Sequence, residues 1–266
     1  VRFGGRYAVN GVSLDVRPGE VVGLIGTNGA GKTTLMNAVS GFVRSSGTVE
    51  VFGVRVDGKP SYRRARYGMG RAFQNARIFG GLSVRETIMV ALEARQRSML
   101  IPSMLALPPS PWAERTKRRQ AEEIISYLGL SRYADNLVSE LSTGSRRIVE
   151  LGALLALDTR LMLLDEPTAG VAQKETEAFG PLIKAIQQDL GSSILIIEHD
   201  MPMVMSISDR IYCLEAGAVI AEGTPAEVRN NTAVIASYLG TDERAIRRSG
   251  TSAALDAAAP AGAPTE

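Results

Sequence analysis

Short stretches of this chain carry residue types and spacings suited to phosphate chemistry. Gly26-Thr-Asn-Gly-Ala-Gly-Lys-Thr33 matches G-x-x-x-x-G-K-[ST]. The glycines let the backbone curl until several N–H groups face one anion, and the positive end of a following helix adds to the attraction. Lys32 then reaches the β- and γ-phosphates, and the Thr33 hydroxyl can ligate Mg²⁺. The candidate nucleotide-binding residues are Asn28, Gly29, Ala30, Gly31, Lys32, Thr33 and Thr34. By composition, a chain of this length would match by chance about once in a hundred. A strand before the motif and a helix after it lower those odds further. The stretch predicts binding of a nucleoside triphosphate.

Leu161-Met-Leu-Leu-Asp-Glu-Pro167 places two acids after four apolar residues. A buried strand ending in Asp165 would set a carboxylate beside the metal, and Glu166 could orient the attacking water. Alone this signal is weak, because apolar runs often end in acids at a surface turn. The phosphate loop gives it weight.

The elements that must position these groups follow from local pattern. Val21-Val-Gly-Leu-Ile25 is a short apolar run, consistent with a buried strand running into the loop. Thr33 to Gly41 reads as a helix ended by glycine. Val12 to Val16 alternates like a half-buried strand, and Arg17-Pro-Gly-Glu20 reads as a turn. Strand-like segments recur at Gly47 to Val56, Leu161 to Leu164, Ile194 to Ile197 and Arg210 to Ala221.

The middle of the chain is helical. Ser83-Val-Arg-Glu86 has capping-box spacing ahead of a pattern running to about Met99. Further helices are expected from about Ala113 to Leu128 and from Ser145 to about Leu157. Ile101 to Trp112 is apolar but broken by Pro102, Pro108, Pro109 and Pro111, so it reads as a connecting loop, with a membrane-facing patch as the alternative. From Gly240 onward, Ala, Pro, Ser and Thr dominate. A tail over 241–266 is expected to be disordered, because it cannot bury enough surface to offset its ordering entropy.

The 266 residues are 45% apolar and 22% charged, ordinary for a globular protein. A net charge of +2 says little about nucleic acid, which responds to clustered charge. The single cysteine, Cys213, excludes an intrachain disulfide and a Cys-based metal cluster, and in its apolar run reads as a buried small residue. No uninterrupted apolar stretch reaches about 18 residues, so no spanning helix is expected. The start, Val1-Arg-Phe-Gly-Gly5, has no signal-peptide features and opens inside a strand-like run without methionine. Either a few preceding residues or an unusual start codon is expected.

Leu141-Ser-Thr-Gly-Ser-Arg-Arg147 opens a helix just before the Asp-Glu strand. Here the chain resembles the ABC ATPase family, whose helical subdomain carries an L-S-G-G-Q-type signature at this place. The resemblance covers residues 1–240, with motifs in the expected order and at expected intervals. It implies an α/β fold: a P-loop core, an antiparallel β portion near the N-terminus and an inserted helical subdomain at about 75–150. Phe3 stands where the family has an aromatic that stacks on adenine, with Tyr7 a rival. Gln74, in Arg71-Ala-Phe-Gln-Asn75, matches the glutamine that senses Mg²⁺ and the partner. His199, the only histidine, follows Ile194-Leu-Ile-Ile-Glu198 at the position of the switch histidine.

The implied catalytic set is Glu166, His199 and Gln74, and the implied Mg²⁺ set is Thr33, Gln74 and Asp165. Ser142 and Gly144 would close over ATP held by a neighbouring subunit. Two departures stand out: Thr143 and Ser145 replace the commonest Gly and Gln, and Ala169-Gly-Val-Ala172 lacks the usual aspartate.

Within the family, the chain is similar to importer ATPases for branched-chain amino acids. This rests on Phe3-Gly-Gly-Arg-Tyr-Ala-Val-Asn10, Arg71-Ala-Phe-Gln-Asn-Ala-Arg-Ile-Phe79, the stretch from Glu198 to Tyr212, and Glu222-Gly-Thr-Pro-Ala-Glu227. That similarity implies an ATP-hydrolysing motor at the cytoplasmic face of the membrane. It also implies two permeases, a second and non-identical ATPase, an extracytoplasmic solute-binding protein and no nucleic acid. Relatives handling urea or amides look similar. ABC ATPases of DNA or ribosomes usually carry a long coiled coil, zinc motifs or two ATPase units, none of which appears here. A nucleotide kinase would not need Leu141 to Arg147.

Overall fold

The computed structural model describes residues 1–73, 78–95 and 110–238. The expectations for Gln74, for most of the proline-broken stretch and for the tail lie outside these residues.

One six-stranded sheet organises the chain. Its strands are β3 (Val21–Gly26), β6 (Met69–Ala72), β7 (Leu161–Asp165), β8 (Ser193–Ile197), β9 (Arg210–Glu215) and β10 (Ala218–Gly223), in the order β10-β9-β3-β8-β7-β6. All neighbours pair in parallel except the antiparallel edge strand β10. All of β3 and β8 is buried. Continuous apolar runs are what a parallel sheet covered on both faces requires.

The period of two sorts the two faces. Val21, Met162, Leu164, Ile194 and Ile196 enter one cluster, packed by α3 (Val84–Arg95), α4 (Ser110–Tyr127), α5 (Thr143–Ala156), α6 (Gln173–Leu190) and α7 (Met201–Ile207). Val22, Leu24, Leu163, Leu195 and Ile197 enter the other, with Leu35 and Met36 of α1 (Lys32–Ser40). Truncating one such side chain to alanine costs about 2–5 kcal/mol. The helix α3 starts where its capping box predicts: the Ser83 amide donates to Glu86 Oε2 at 2.8 Å and the Glu86 amide to Ser83 Oγ at 3.2 Å. A short α2 (Ser61–Ala65) precedes β6, and α8 (Pro225–Arg229) follows β10. Among the described residues, no helix is long and apolar enough to cross a membrane.

Three strand expectations change. Gly47 to Val56 and Arg210 to Ala221 are each a hairpin rather than one strand: β4 (Glu50–Val51) with β5 (Val54–Arg55), and β9 with β10. Phe52-Gly53 and Ala216-Gly217 both take positive φ at the two central positions. That is the backbone of a two-residue hairpin turn, for which glycine is the signal. Val12 to Val16 forms no strand. Its alternation is real in burial only: Val12, Leu14 and Val16 pack on the core, while Asp15 pairs with the buried Arg210 at 2.8 Å. The antiparallel β portion is thus two separate two-stranded hairpins, the other being β1 (Arg2–Phe3) with β2 (Arg6–Tyr7).

Cys213 is fully buried in β9, and burial pushes its thiol up to about 11. The thiol therefore stays protonated and shielded at neutral pH. Iodoacetamide at pH 8 is expected to leave the folded chain unlabelled and to modify one thiol per chain in denaturant, read by intact mass.

Candidate active site

Three strands end at one edge of the sheet. Leu24 of β3 and Asp165 of β7 both pair with Ile197 of β8, so the residues after each strand emerge side by side. The carboxyl edge of an open parallel sheet is where such folds bind ligands.

From β3 the chain enters the phosphate loop. Gly26, Gly29 and Gly31 have φ of 144°, 82° and 103°. A Cβ on Gly26 would lie 2.2 Å from the Leu214 carbonyl, and one on Gly31 would lie 2.3 Å from that of Ala8. Only glycine fits either place. Gly31 precedes α1 without a side-chain cap, so the helix offers uncapped N–H groups beside Asn28, Gly29, Ala30 and Thr34. Lys32 is buried, and its ammonium donates to the carbonyls of Gly26 at 2.6 Å and Thr27 at 3.2 Å. Burial lowers its pKa; the facing Glu166 and Asp165 raise it.

Asp165 closes β7 fully buried. Arg71 of β6 holds its Oδ2 at 2.8 Å, and the Thr33 hydroxyl lies 3.4 Å from its Oδ1. Burial raises the Asp165 pKa and Arg71 opposes that. Glu166 sits at φ 50°, a strained backbone for a residue with a side chain. Its amide donates to the Ile197 carbonyl at 2.8 Å, and its Oε1 is 3.0 Å from His199 Nε2. Buried Glu198 ties the two strand ends together. Its Oε1 accepts from the Thr168 amide at 2.7 Å and hydroxyl at 2.6 Å, and its Oε2 from the His199 amide at 3.0 Å.

The structure thus brings Lys32, Thr33, Asp165, Glu166 and His199 together. Ser142 and Gly144 lie elsewhere, at the start of α5. Ser142 Oγ caps that helix by accepting from the Ser145 amide at 3.1 Å, and donates to Glu175 Oε1 at 2.9 Å. The nearest side chains above Gly144 are those of Glu175 and Val171. Phe3 and Tyr7 are both exposed on the β1–β2 hairpin. Arg2 pairs with Tyr7 and Phe3 with Arg6, so the two rings point to opposite sides and only one can stack on a given base.

Thr33 and Asp165 present two hard oxygens side by side. Among the described residues no group of three or more His, Cys, Asp or Glu could hold a metal. A half-site completed by phosphate oxygens and water fits Mg²⁺, which binds through few carboxylates.

The family model described as ABC transporter matches residues 9–169, a stretch that contains the phosphate loop, the signature segment and β7. The chain belongs to the ABC transporter family. A second model, described as branched-chain amino acid ATP-binding cassette transporter, matches residues 218–244 of this cassette. LivG of Salmonella typhimurium, a high-affinity branched-chain amino acid transport ATP-binding protein, is 39% identical over 241 residues, 90% of this chain and 94% of LivG. LptB of Haemophilus influenzae, a lipopolysaccharide export system ATP-binding protein, is 37% identical over 236 residues, 88% of this chain and 92% of LptB. A solved ATP-binding cassette of an ABC transporter in its ADP conformation superposes with a TM-score of 0.75 at 29% identity, covering 90% of this chain and 94% of that one. The α/β cassette expected from the sequence is the fold observed.

Sequence reading missed Arg71, Glu198 and Glu175 because each meets its partner only through the fold. The family strings did contain Arg71 and Glu198, but nothing local marks them as ligands of Asp165 and Thr168. Glu198→Ala would strand the buried Thr168 donors, and is expected to lower the unfolding free energy by about 2–3 kcal/mol in urea titration. Thr168→Val removes one donor with its acceptor still partnered and should cost less.

Proposed function

We propose that this cassette binds and hydrolyses ATP with Mg²⁺ as a motor subunit of a membrane importer, working at the cytoplasmic face. The observation that carries the hydrolytic part is the meeting of Lys32, Asp165, Glu166 and His199 at one sheet edge. For the transport part it is the similarity to LivG over nearly its whole length, together with the 218–244 match.

Residue roles follow from position. In the chain alone Lys32 rests on two loop carbonyls; with ATP its ammonium turns to the β- and γ-phosphates while the first-turn amides of α1 hold the remaining oxygens. Thr33 and Asp165 would hold Mg²⁺, with Gln74 the further ligand that the family resemblance implies. When bound, the ion neutralises phosphate charge. Glu166 orients a water whose oxygen bonds to the γ-phosphorus as the bond to the β–γ bridging oxygen breaks, giving ADP and phosphate. His199 holds Glu166 in place and lies beside the γ-phosphate end. Phe3 or Tyr7 stacks on the adenine, and Ser142 and Gly144 close over ATP on the neighbouring ATPase.

The proposed assembly has two permeases and a second, non-identical ATPase, with a solute-binding protein outside. The cargo is branched-chain amino acids or similar small polar solutes. LptB serves export; the branched-chain amino acid description of the model that matches 218–244 favours the importer reading.

Three outcomes test this. Lys32→Ala is expected to lose most binding of a labelled ATP analogue; unchanged affinity would refute the loop assignment. Glu166→Gln should bind ATP normally yet turn over about a hundredfold more slowly or worse, the scale of a positioned general base. A wild-type rate in that variant would move the role to another residue. Purification from native membranes should bring down permeases and a second ATPase. Recovery of a partner-free, fully active homodimer would sink the proposed assembly.

A further inference from the structure

A helix over 232–238 brings Tyr238 against the phosphate loop from behind. Its phenol oxygen accepts from the Gly26 amide at 2.9 Å, across 212 residues of sequence. The ring packs on the buried cluster of Ile25, Val204, Ile211, Cys213, Val228 and Val234.

Gly26 is the pivot between β3 and the loop. Its carbonyl accepts from Lys32 at 2.6 Å, and its amide meets Tyr238. The pairing of β3 with β8 has already ended at Leu24, two residues earlier, while that with β9 continues to Gly26. One residue is therefore gripped on its two peptide groups, by the phosphate-binding lysine on one side and by the C-terminal segment on the other. When Lys32 leaves the carbonyl for the phosphates, the amide contact with Tyr238 remains, beside the register of Gly26 with Leu214 of β9.

We propose that Tyr238 is a positioning residue for nucleotide binding: its hydroxyl fixes Gly26 so that the loop amides and Lys32 stay aimed at the phosphates. The ring supplies packing that phenylalanine would also supply; only the oxygen reaches the loop. Burial raises the phenol pKa, so the group is neutral and keeps its proton at physiological pH. The residue lies inside the 218–244 match, which gives that C-terminal stretch a job at the nucleotide site.

The inference rests on the nucleotide-binding reading, so the wild type must first bind fluorescent ADP; if it does not, that reading and this one both fall. Tyr238→Phe is then expected to weaken ADP binding about three- to tenfold, the size of one hydrogen bond. Hydrogen exchange at Gly26 should rise by a similar or larger factor in the nucleotide-free chain. Tyr212→Phe is the control. Its hydroxyl bonds Arg210 and Glu222 at 2.9 and 3.0 Å, so it should lose stability in urea without losing ADP affinity. Unchanged ADP affinity in folded Tyr238→Phe overturns the proposal. Equal loss in both variants overturns it too, because the effect would then be general destabilisation.

Discussion

The parallel register of β3, β8 and β7 is the constraint on which the site depends. Leu24, Ile197 and Asp165 lie level across the three strands. Side chains alternate between faces, so a slip of one residue in β7 would send Asp165 to the opposite face and bring Leu164 to the edge. The two-sided apolar burial of these strands forbids that slip, since it would also exchange the residues of both cores. Hydrophobic packing thus sets the position of groups that have no hydrophobic role.

Burying charge at that edge has to be compensated. Lys32, Arg71, Asp165 and Glu198 are all buried. An isolated charge there would be costly, and a buried ion pair by itself adds little stability. Each group is instead given partners. Arg71 takes one oxygen of Asp165 and leaves the other toward Thr33; its guanidinium also lies beside the rings of Phe42 and Phe73. Glu198 takes three donors from the loops after β7 and its own strand. Lys32 donates to the carbonyls of Gly26 and Thr27, and the charges of Glu166 and Asp165 favour its ammonium.

What could be read in the sequence was what the sequence does locally. The phosphate loop, the apolar strand into Asp165, the capping box at Ser83 and the glycine after α1 each act within a few residues, and types and spacing reveal them. Gly53 and Gly217 were visible too, yet the flanking apolar runs outweighed them and two hairpins read as single strands. The contacts that finish the site were not legible. Arg71 meets Asp165 across 94 residues and Tyr238 meets Gly26 across 212, and no periodicity encodes a pairing made by topology. Val12 to Val16 shows the converse: its alternation reports burial truly, but backbone pairing also needs a neighbour strand, and this segment pairs with none among the described residues.

Charge compensation recurs at the start of α5. The 14-residue α5 points its positive end outward, where an anion is favoured. In the single chain that end is served by its own groups: Ser142 caps it, and the Glu175 carboxylate rests on the Ser142 hydroxyl. Both side chains are exposed, so water and salt screen the contact and it holds weakly. In the proposed assembly, a phosphate held by a neighbouring subunit would carry more charge and compete with Glu175 for the same hydroxyl and helix end. Under that proposal, Lys32 on its carbonyls and Ser142 under Glu175 are equivalent arrangements. Each group that the proposed sites assign to phosphate has an intramolecular partner of its own: the Gly26 and Thr27 carbonyls for Lys32, and Glu175 for Ser142.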